Sequence, residues 1–170
     1  MHMTNLTRAL SSKGALPFLL LAALIVAVAR AQVAPQPRIV VNLDPIERVS
    51  AKRGDTVTVP LRVKVDAGFH VNSDKPNDPF LIPIALTWTP AALEKPAIQF
   101  PKPETAKLAF SEKPVSIFSG EFEIATKFKV SANTPAGPGT VSGKLRYQAC
   151  NDRECLIPRT IAVTIPVEIQ

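Results

Sequence analysis

The chain has 170 residues, 46% of them hydrophobic, and a formal charge of +6. Two cysteines and the one histidine beyond the N-terminal segment, His70, are too few for a structural zinc site, which takes about four ligands, so no metal is expected. Lysines and arginines scattered beside acids, with little aromatic interleaving, exclude a nucleic-acid groove. With no Gly-x-Ser-x-Gly elbow and no glycine-rich phosphate loop, the chemistry left is dithiol–disulfide exchange or binding. A Cys/His nucleophile would need His70 beside Cys150 or Cys155, a placement the sequence leaves open.

Residues 1–31 read as a secretory signal peptide. Arg8 and Lys13 make a positive start, residues 15–29 are apolar except for Pro17, and Ala29-Arg30-Ala31 is a small-x-small cleavage site. An uncleaved anchor is the alternative. The apolar run, about 15 residues, falls short of the roughly 20 that a spanning helix needs. No cysteine near the cleavage site offers a lipid anchor, and no later stretch approaches spanning length. The expectation is an exported chain, cleaved after Ala31, with no stable membrane insertion. Arg8, Lys13 and Arg30 leave with the peptide and no acid does, which reduces the charge from +6 to a mild +3. Export also places the chain in an oxidising compartment, where a disulfide persists.

Residues 32–37 read as a flexible lead-in, and β signals follow. Residues 38–43 suggest a short strand broken by Asp44-Pro45, and residues 49–52 an edge piece before the Gly54-Asp55 turn. Residues 56–65 alternate, with Val57, Val59, Leu61, Val63 and Val65 on one face. Pro60 points the other way and implies an edge or a bulge. Residues 69–72 are strand-like and residues 73–79 a polar loop, whose Asp74, Asn77 and Asp78 fit no EF-hand spacing. A strand over 84–89 carries the only tryptophan, Trp88, expected to be core or half-buried. Residues 98–100 suggest a short strand, and residues 101–104 are too proline-rich to pair regularly. The polar loop 107–114 carries one large ring, Phe110, readable as a plug over the core. Residues 115–118 and 120–130 suggest a hairpin, with Phe122, Ile124, Thr126, Phe128 and Val130 on one face. Residues 131–139 form a turn-rich connector before strands over 140–149 and 159–169. No helical pattern of useful length follows residue 31. The expected fold class is all-β, a β-sandwich of seven or more short strands.

Between the last two strands lies Tyr147-Gln148-Ala149-Cys150-Asn151-Asp152-Arg153-Glu154-Cys155-Leu156-Ile157-Pro158, which holds both cysteines. The simplest picture is a hairpin with one cysteine at each foot of a four-residue polar loop. Facing residues on antiparallel strands have Cα atoms about 4.5–5.5 Å apart, within the roughly 4.4–6.8 Å that disulfides accept. A lone pair in an exported domain is commonly a staple. A loop this short, however, contributes only about 2 kcal/mol by closure, and a surface disulfide at a turn is open to an attacking thiolate. Arg153 favours a thiolate while Asp152 and Glu154 oppose one. Spacing alone leaves staple and reagent both open.

The run YQACNDRECLIP resembles the active-site hairpin of the N-terminal domain of the bacterial thiol:disulfide interchange protein DsbD. GFHVNSDKPNDPFLIP (68–83), FPKPETAKLAFSEKP (100–114) and IFSGEFEI (117–124) resemble further segments of that family in the same order, so that the similarity covers about residues 39–169. The resemblance implies an immunoglobulin-like sandwich over 38–170, in the periplasm, that passes electrons through a Cys150–Cys155 pair and needs no cofactor. It implies transient mixed disulfides with thioredoxin-like or membrane electron-carrier proteins, made through Cys155. It gives Phe110 the place of a cap that shields the disulfide, and puts Tyr147 beside the pair. The C-x4-C spacing is one residue shorter than in the best-known member. His70 and Asn72 stand where that member has aromatic hydroxyls, and Leu108 and Ala109 where it has acids, with Glu112 following instead. His70 and Glu112 are therefore the candidates for proton handling. The chain is expected to be a free-standing domain, served by an electron donor from another gene. The competing expectation is a non-catalytic immunoglobulin-like binding or assembly module with a structural disulfide.

Overall fold

Alternating β-branched and polar residues generate most of the strands. A computed structural model describes residues 38–170 except residues 90, 109 and 110 and the side chain of Lys95. The segments read as signal peptide (1–31) and lead-in (32–37), and Phe110, lie outside the described residues. Among those described, the elements run β1 (Val41–Leu43), β2 (Val49–Ala51), β3 (Thr56–Val65), β4 (His70–Asn72), β5 (Ala85–Trp88) and β6 (Leu93–Gln99). They continue with β7 (Glu104–Ala106), β8 (Val115–Ser119), β9 (Glu121–Val130), β10 (Gly137–Tyr147), β11 (Ala149–Cys150) and β12 (Arg159–Ile169).

Two four-stranded sheets, ordered β1-β3-β9-β6 and β2-β12-β10-β5, form the sandwich. Their long strands bury every second side chain. Val59, Leu61, Val63 and Val65 of β3 and Ile124, Thr126, Phe128 and Val130 of β9 are all buried. They meet Val141 and Leu145 of β10 and Val163, Ile165 and Val167 of β12 in two adjoining clusters. Burying one such aliphatic or aromatic side chain is worth about 1.5–3 kcal/mol. The indole Nε1–H of Trp88 donates to the buried Thr126 hydroxyl at 3.1 Å, and its ring meets Phe128 edge-on at 5.4 Å between centroids. Trp88 is half-buried, as expected. Pro60 also fits its expectation: β1 covers β3 only at Val63–Val65, leaving the β3 edge at Pro60 without a ladder partner among the described residues.

A third, smaller sheet, β11-β4-β8-β7, stands apart from these two in hydrogen bonding but shares the core. Val71, Phe118 and Ala149 belong to the same cluster as Leu61, Ile124 and Leu145. Its presence corrects two expectations. Strands β8 and β9 are consecutive but are not a hairpin, because they belong to different sheets. Gly120, at φ 58°, turns the chain between them, a left-handed conformation that glycine adopts without a Cβ penalty. The Gly120 carbonyl accepts the Val65 N–H at 2.8 Å. In addition, Glu104–Ala106 pairs with Val115–Ile117 despite the prolines before it, because those prolines precede the strand rather than interrupt it.

Candidate active site

Strands β10 and β12 form an unbroken antiparallel ladder from Gly137↔Ile169 to Tyr147↔Arg159. Beyond Tyr147 the chain changes partner. Strand β11 pairs with β4 instead, placing Ala149 opposite Val71 and Cys150 opposite His70. The four-residue turn then reverses the chain, and Cys155 bridges antiparallel to Cys150. Asn151 organises this turn. Its Oδ1 accepts the N–H groups of Arg153 and Glu154 at 2.8 and 2.9 Å, and its own N–H donates to the Glu154 carbonyl at 2.9 Å. One residue further out, the Leu156 N–H donates to the Ala149 carbonyl at 2.8 Å, and the Gln148 side-chain amide donates to the Leu156 carbonyl at 3.1 Å.

The cysteines are joined as a disulfide with Cα atoms 3.9 Å apart, closer than the spacing expected from sequence. The reason is local. The hydrogen bonds fall on the pairs 149/156 and 151/154, so 150/155 is a non-hydrogen-bonded pair, the closer of the two antiparallel types. The two sulfur-bearing residues differ sharply in access: Cys150 is 0% exposed, whereas Cys155 is an exposed residue.

Strand β4 is buried on both faces. Phe69 and Val71 join the main core, so His70 and Asn72 occupy the opposite face. Residues directly opposite one another on antiparallel strands share a face. Cys155, Cys150, His70 and Ser119 therefore line up across the sheet, one per strand. The Ser119 hydroxyl donates to the Glu104 carboxylate at 2.9 Å, which extends the row to β7. Burial pushes the His70 imidazole below its ordinary value, partly offset by the Asp152 carboxylate. Neither His70 Nε2 nor Asn72 Oδ1 has a hydrogen-bond partner among the described residues, although the Asn72 amide nitrogen donates to the Ile82 carbonyl at 3.0 Å.

The other residues singled out from sequence are more dispersed. Tyr147 is buried in the main cluster, three residues before Cys150. Its phenol is pushed up by burial, partly offset by Arg159. Glu112 is exposed in a shallow cleft with Asn77, Asp78, Phe80 and Pro114, whose lining includes neither cysteine. The two loops forming that cleft are tied by Asn77, whose amide donates to the Pro114 carbonyl and whose Oδ1 accepts the Ser116 N–H. Leu108, two residues before Phe110, clusters with Val115, Ile117 and Leu81. By register and alternation, Ile117 and Ser119 share the face that carries Cys150 and His70. Ser119 and Glu104 had no signal in the sequence, since only the pairing of β7 and β8 brings them together. Among the described residues no group of three or more His, Cys, Asp or Glu side chains could hold a metal ion.

A family profile described as "Thiol:disulfide interchange protein DsbD, N-terminal" matches residues 39–166. Among solved structures, the N-terminal periplasmic domain of ScsB from Proteus mirabilis aligns with a TM-score of 0.52 and 14% identity, over 74% of this chain and 44% of that one. The present chain thus spans less than half of that structure, and the likeness concerns the fold. The reduced DsbD N-terminal domain from Neisseria meningitidis gives a TM-score of 0.43 and 22% identity, over 74% of this chain and 86% of that one. A type I cohesin from Pseudobacteroides cellulosolvens gives 0.41 and 14%, over 76% and 92%. No curated protein matches the sequence.

Proposed function

The chain belongs to the family of DsbD N-terminal domains, and on that premise we propose that it performs thiol–disulfide interchange through Cys150 and Cys155, as a periplasmic disulfide reductase or electron relay. The observation that carries this reading is the asymmetry of the pair. An incoming thiolate meets an exposed Cys155, while the leaving sulfur, Cys150, is held at 0% exposure in the sheet. Attack at Cys155 forms a bond from the donor sulfur to the Cys155 sulfur and breaks the Cys150–Cys155 bond. The electron pair goes to Cys150 as a thiolate. The donor's second thiolate then attacks the donor's own sulfur in the mixed disulfide and releases Cys155, leaving both cysteines reduced and the donor oxidised. The same steps reversed pass the electrons to an oxidised protein substrate.

The turn itself also supports the reading. Asn151 and the Ala149–Leu156 hydrogen bond already close the loop. A six-membered run of residues gains only about 2 kcal/mol from a cross-link, so the bond has little structural work to do. In this reading Phe110 shields the disulfide until a partner docks, which is supported by the placement of neighbouring Leu108 over the face of the third sheet that bears the cysteines. Donor and substrate are thioredoxin-like or membrane electron-carrier proteins that engage Cys155 in transient mixed disulfides. Among the described residues no helix is long and apolar enough to cross a membrane.

The test is the reduction potential of the pair in the purified protein, by thiol labelling in glutathione or dithiothreitol buffers. Exchange-competent pairs lie at roughly −120 to −270 mV, structural ones below about −300 mV. A value in the upper range supports interchange, and Cys150→Ser should then trap partners on Cys155. A value below it, with no reaction towards a thioredoxin-like dithiol, leaves a stapled binding module.

A further inference from the structure

Interchange at Cys155 creates a problem at Cys150. The sulfur that departs becomes an anion on a fully buried residue, and a buried thiolate without a partner is costly. The only ionisable side chain directly opposite it in the register of β4 is His70. Directly opposed residues have Cβ atoms about 4.5–5.5 Å apart, close enough for an imidazole to reach a sulfur. His70 is itself 5% exposed, and its Nε2 has no partner among the described residues. A buried polar atom without a partner is costly, a penalty with a purpose if the partner arises during the reaction. On the far side of His70 the row continues with Ser119 and, through its hydroxyl, the exposed Glu104 carboxylate.

We propose that His70 is the proton partner of Cys150, hydrogen-bonding the thiolate released when Cys155 is attacked and then delivering a proton to it, with Ser119 and Glu104 linking the imidazole to solvent. The inference rests on the interchange reading and adds a residue and a route to it. In the oxidised protein the imidazole is neutral and faces a disulfide. Once the S–S bond breaks, the negative charge opposite raises its affinity for a proton, which comes from solvent. Asp152 in the turn favours the imidazolium by charge. Transfer to Cys150 leaves a neutral thiol and a neutral imidazole, so one proton is taken up for the one electron pair that Cys150 receives. The reverse step, reoxidation, returns the proton along the same row and regenerates the Cys150 thiolate for attack on the mixed disulfide.

The experiment has two readouts on the full chain. Nitrogen-15 NMR follows the His70 titration in the oxidised and reduced protein. The ring nitrogen resonance and the midpoint should both shift on reduction, as the Cys150 thiol becomes a hydrogen-bond partner of the ring, which a packing role would not require. In parallel, the second-order rate of reduction by dithiothreitol is measured at pH 7 for wild type, His70→Leu and His70→Gln. A leaving thiol of raised pKa departs more slowly, so His70→Leu should lose about tenfold or more. His70→Gln keeps a side-chain N–H donor and should recover part of that loss. A His70 midpoint unmoved by reduction, or a folded His70→Leu variant that reduces at the wild-type rate, overturns the assignment while leaving interchange intact. If His70→Leu fails to fold, the wild-type NMR titration decides. A wild-type disulfide inert to dithiothreitol overturns interchange and this assignment together.

Discussion

The two sandwich sheets and the small third sheet use the same strand chemistry to different ends. In β3, β9, β10 and β12 each strand has one buried and one exposed face, and the buried polar group Thr126 is satisfied by Trp88. In β4 and β11 every residue is buried. The second face of this sheet carries a disulfide, an imidazole and an amide, and both orphaned side-chain atoms among the described residues sit on β4. The difference teaches that the sandwich supplies stability, whereas the small sheet gives some up to hold polar groups beside a disulfide.

The sharpest way to test this division is to damage each region and compare. Phe128 is 1% exposed and packs on Trp88. Phe128→Ala should cost about 3–5 kcal/mol in urea denaturation. Its effect on the rate of disulfide reduction, measured while the variant is folded, should be small.

Next in size is Gly143. An ideal Cβ there would lie 2.4 Å from Trp88 Cε3 and 2.7 Å from the Thr87 carbonyl oxygen. The ring has some freedom, but the backbone oxygen is held in the β5–β10 ladder. Gly143→Ala should therefore destabilise by about 1–3 kcal/mol through overpacking, visible as a lower urea midpoint. An unchanged midpoint would mean that β5 and β10 separate more easily than the ladder implies.

Removing the cross-link should matter less. Cys150→Ala with Cys155→Ala should lose about 2 kcal/mol or less, with exchange abolished. A loss as large as that of Phe128→Ala would make the disulfide a staple and erase the contrast between the sheets.

The smallest effect concerns pH. Burial lowers the folded-state value of His70 below the ordinary 6.5. Above about pH 6.5 the ring is neutral in both folded and unfolded chains, and its contribution to stability is fully present. As pH falls through that value the unfolded chain binds the proton first, so stability declines until the depressed folded value is passed. The oxidised wild type should therefore lose more stability than His70→Gln between about pH 6.5 and 5. Equal slopes would place the imidazole in a wetter site than β4 provides.

Much of this was legible without coordinates. Alternation in 56–65 and 120–130 assigned the right residues to the core, because strand periodicity acts residue by residue. Cys150 and Cys155 stood out because they are the only cysteines and because the segments around them resemble a known family. His70 was legible as a candidate because it stands where the resembled family has an aromatic hydroxyl, and Glu112 because it follows the loop positions where that family has acids. Glu112 lines a cleft with Asn77, Asp78 and Phe80.

What the sequence by itself determined was the all-β class, the two inward-facing stripes and which two cysteines are available to pair, since periodicity and composition are local properties. What only the tertiary structure decided was which strands share a sheet: that the chain changes sheets at Gly120, that β11 abandons β12 for β4, and that Cys150, His70, Ser119 and Glu104 fall in one row. Those pairings are made between residues tens of positions apart, and they are fixed by ladder hydrogen bonds and by which faces the common core covers. That is also why one cysteine of the pair is sealed in the sheet and the other lies open.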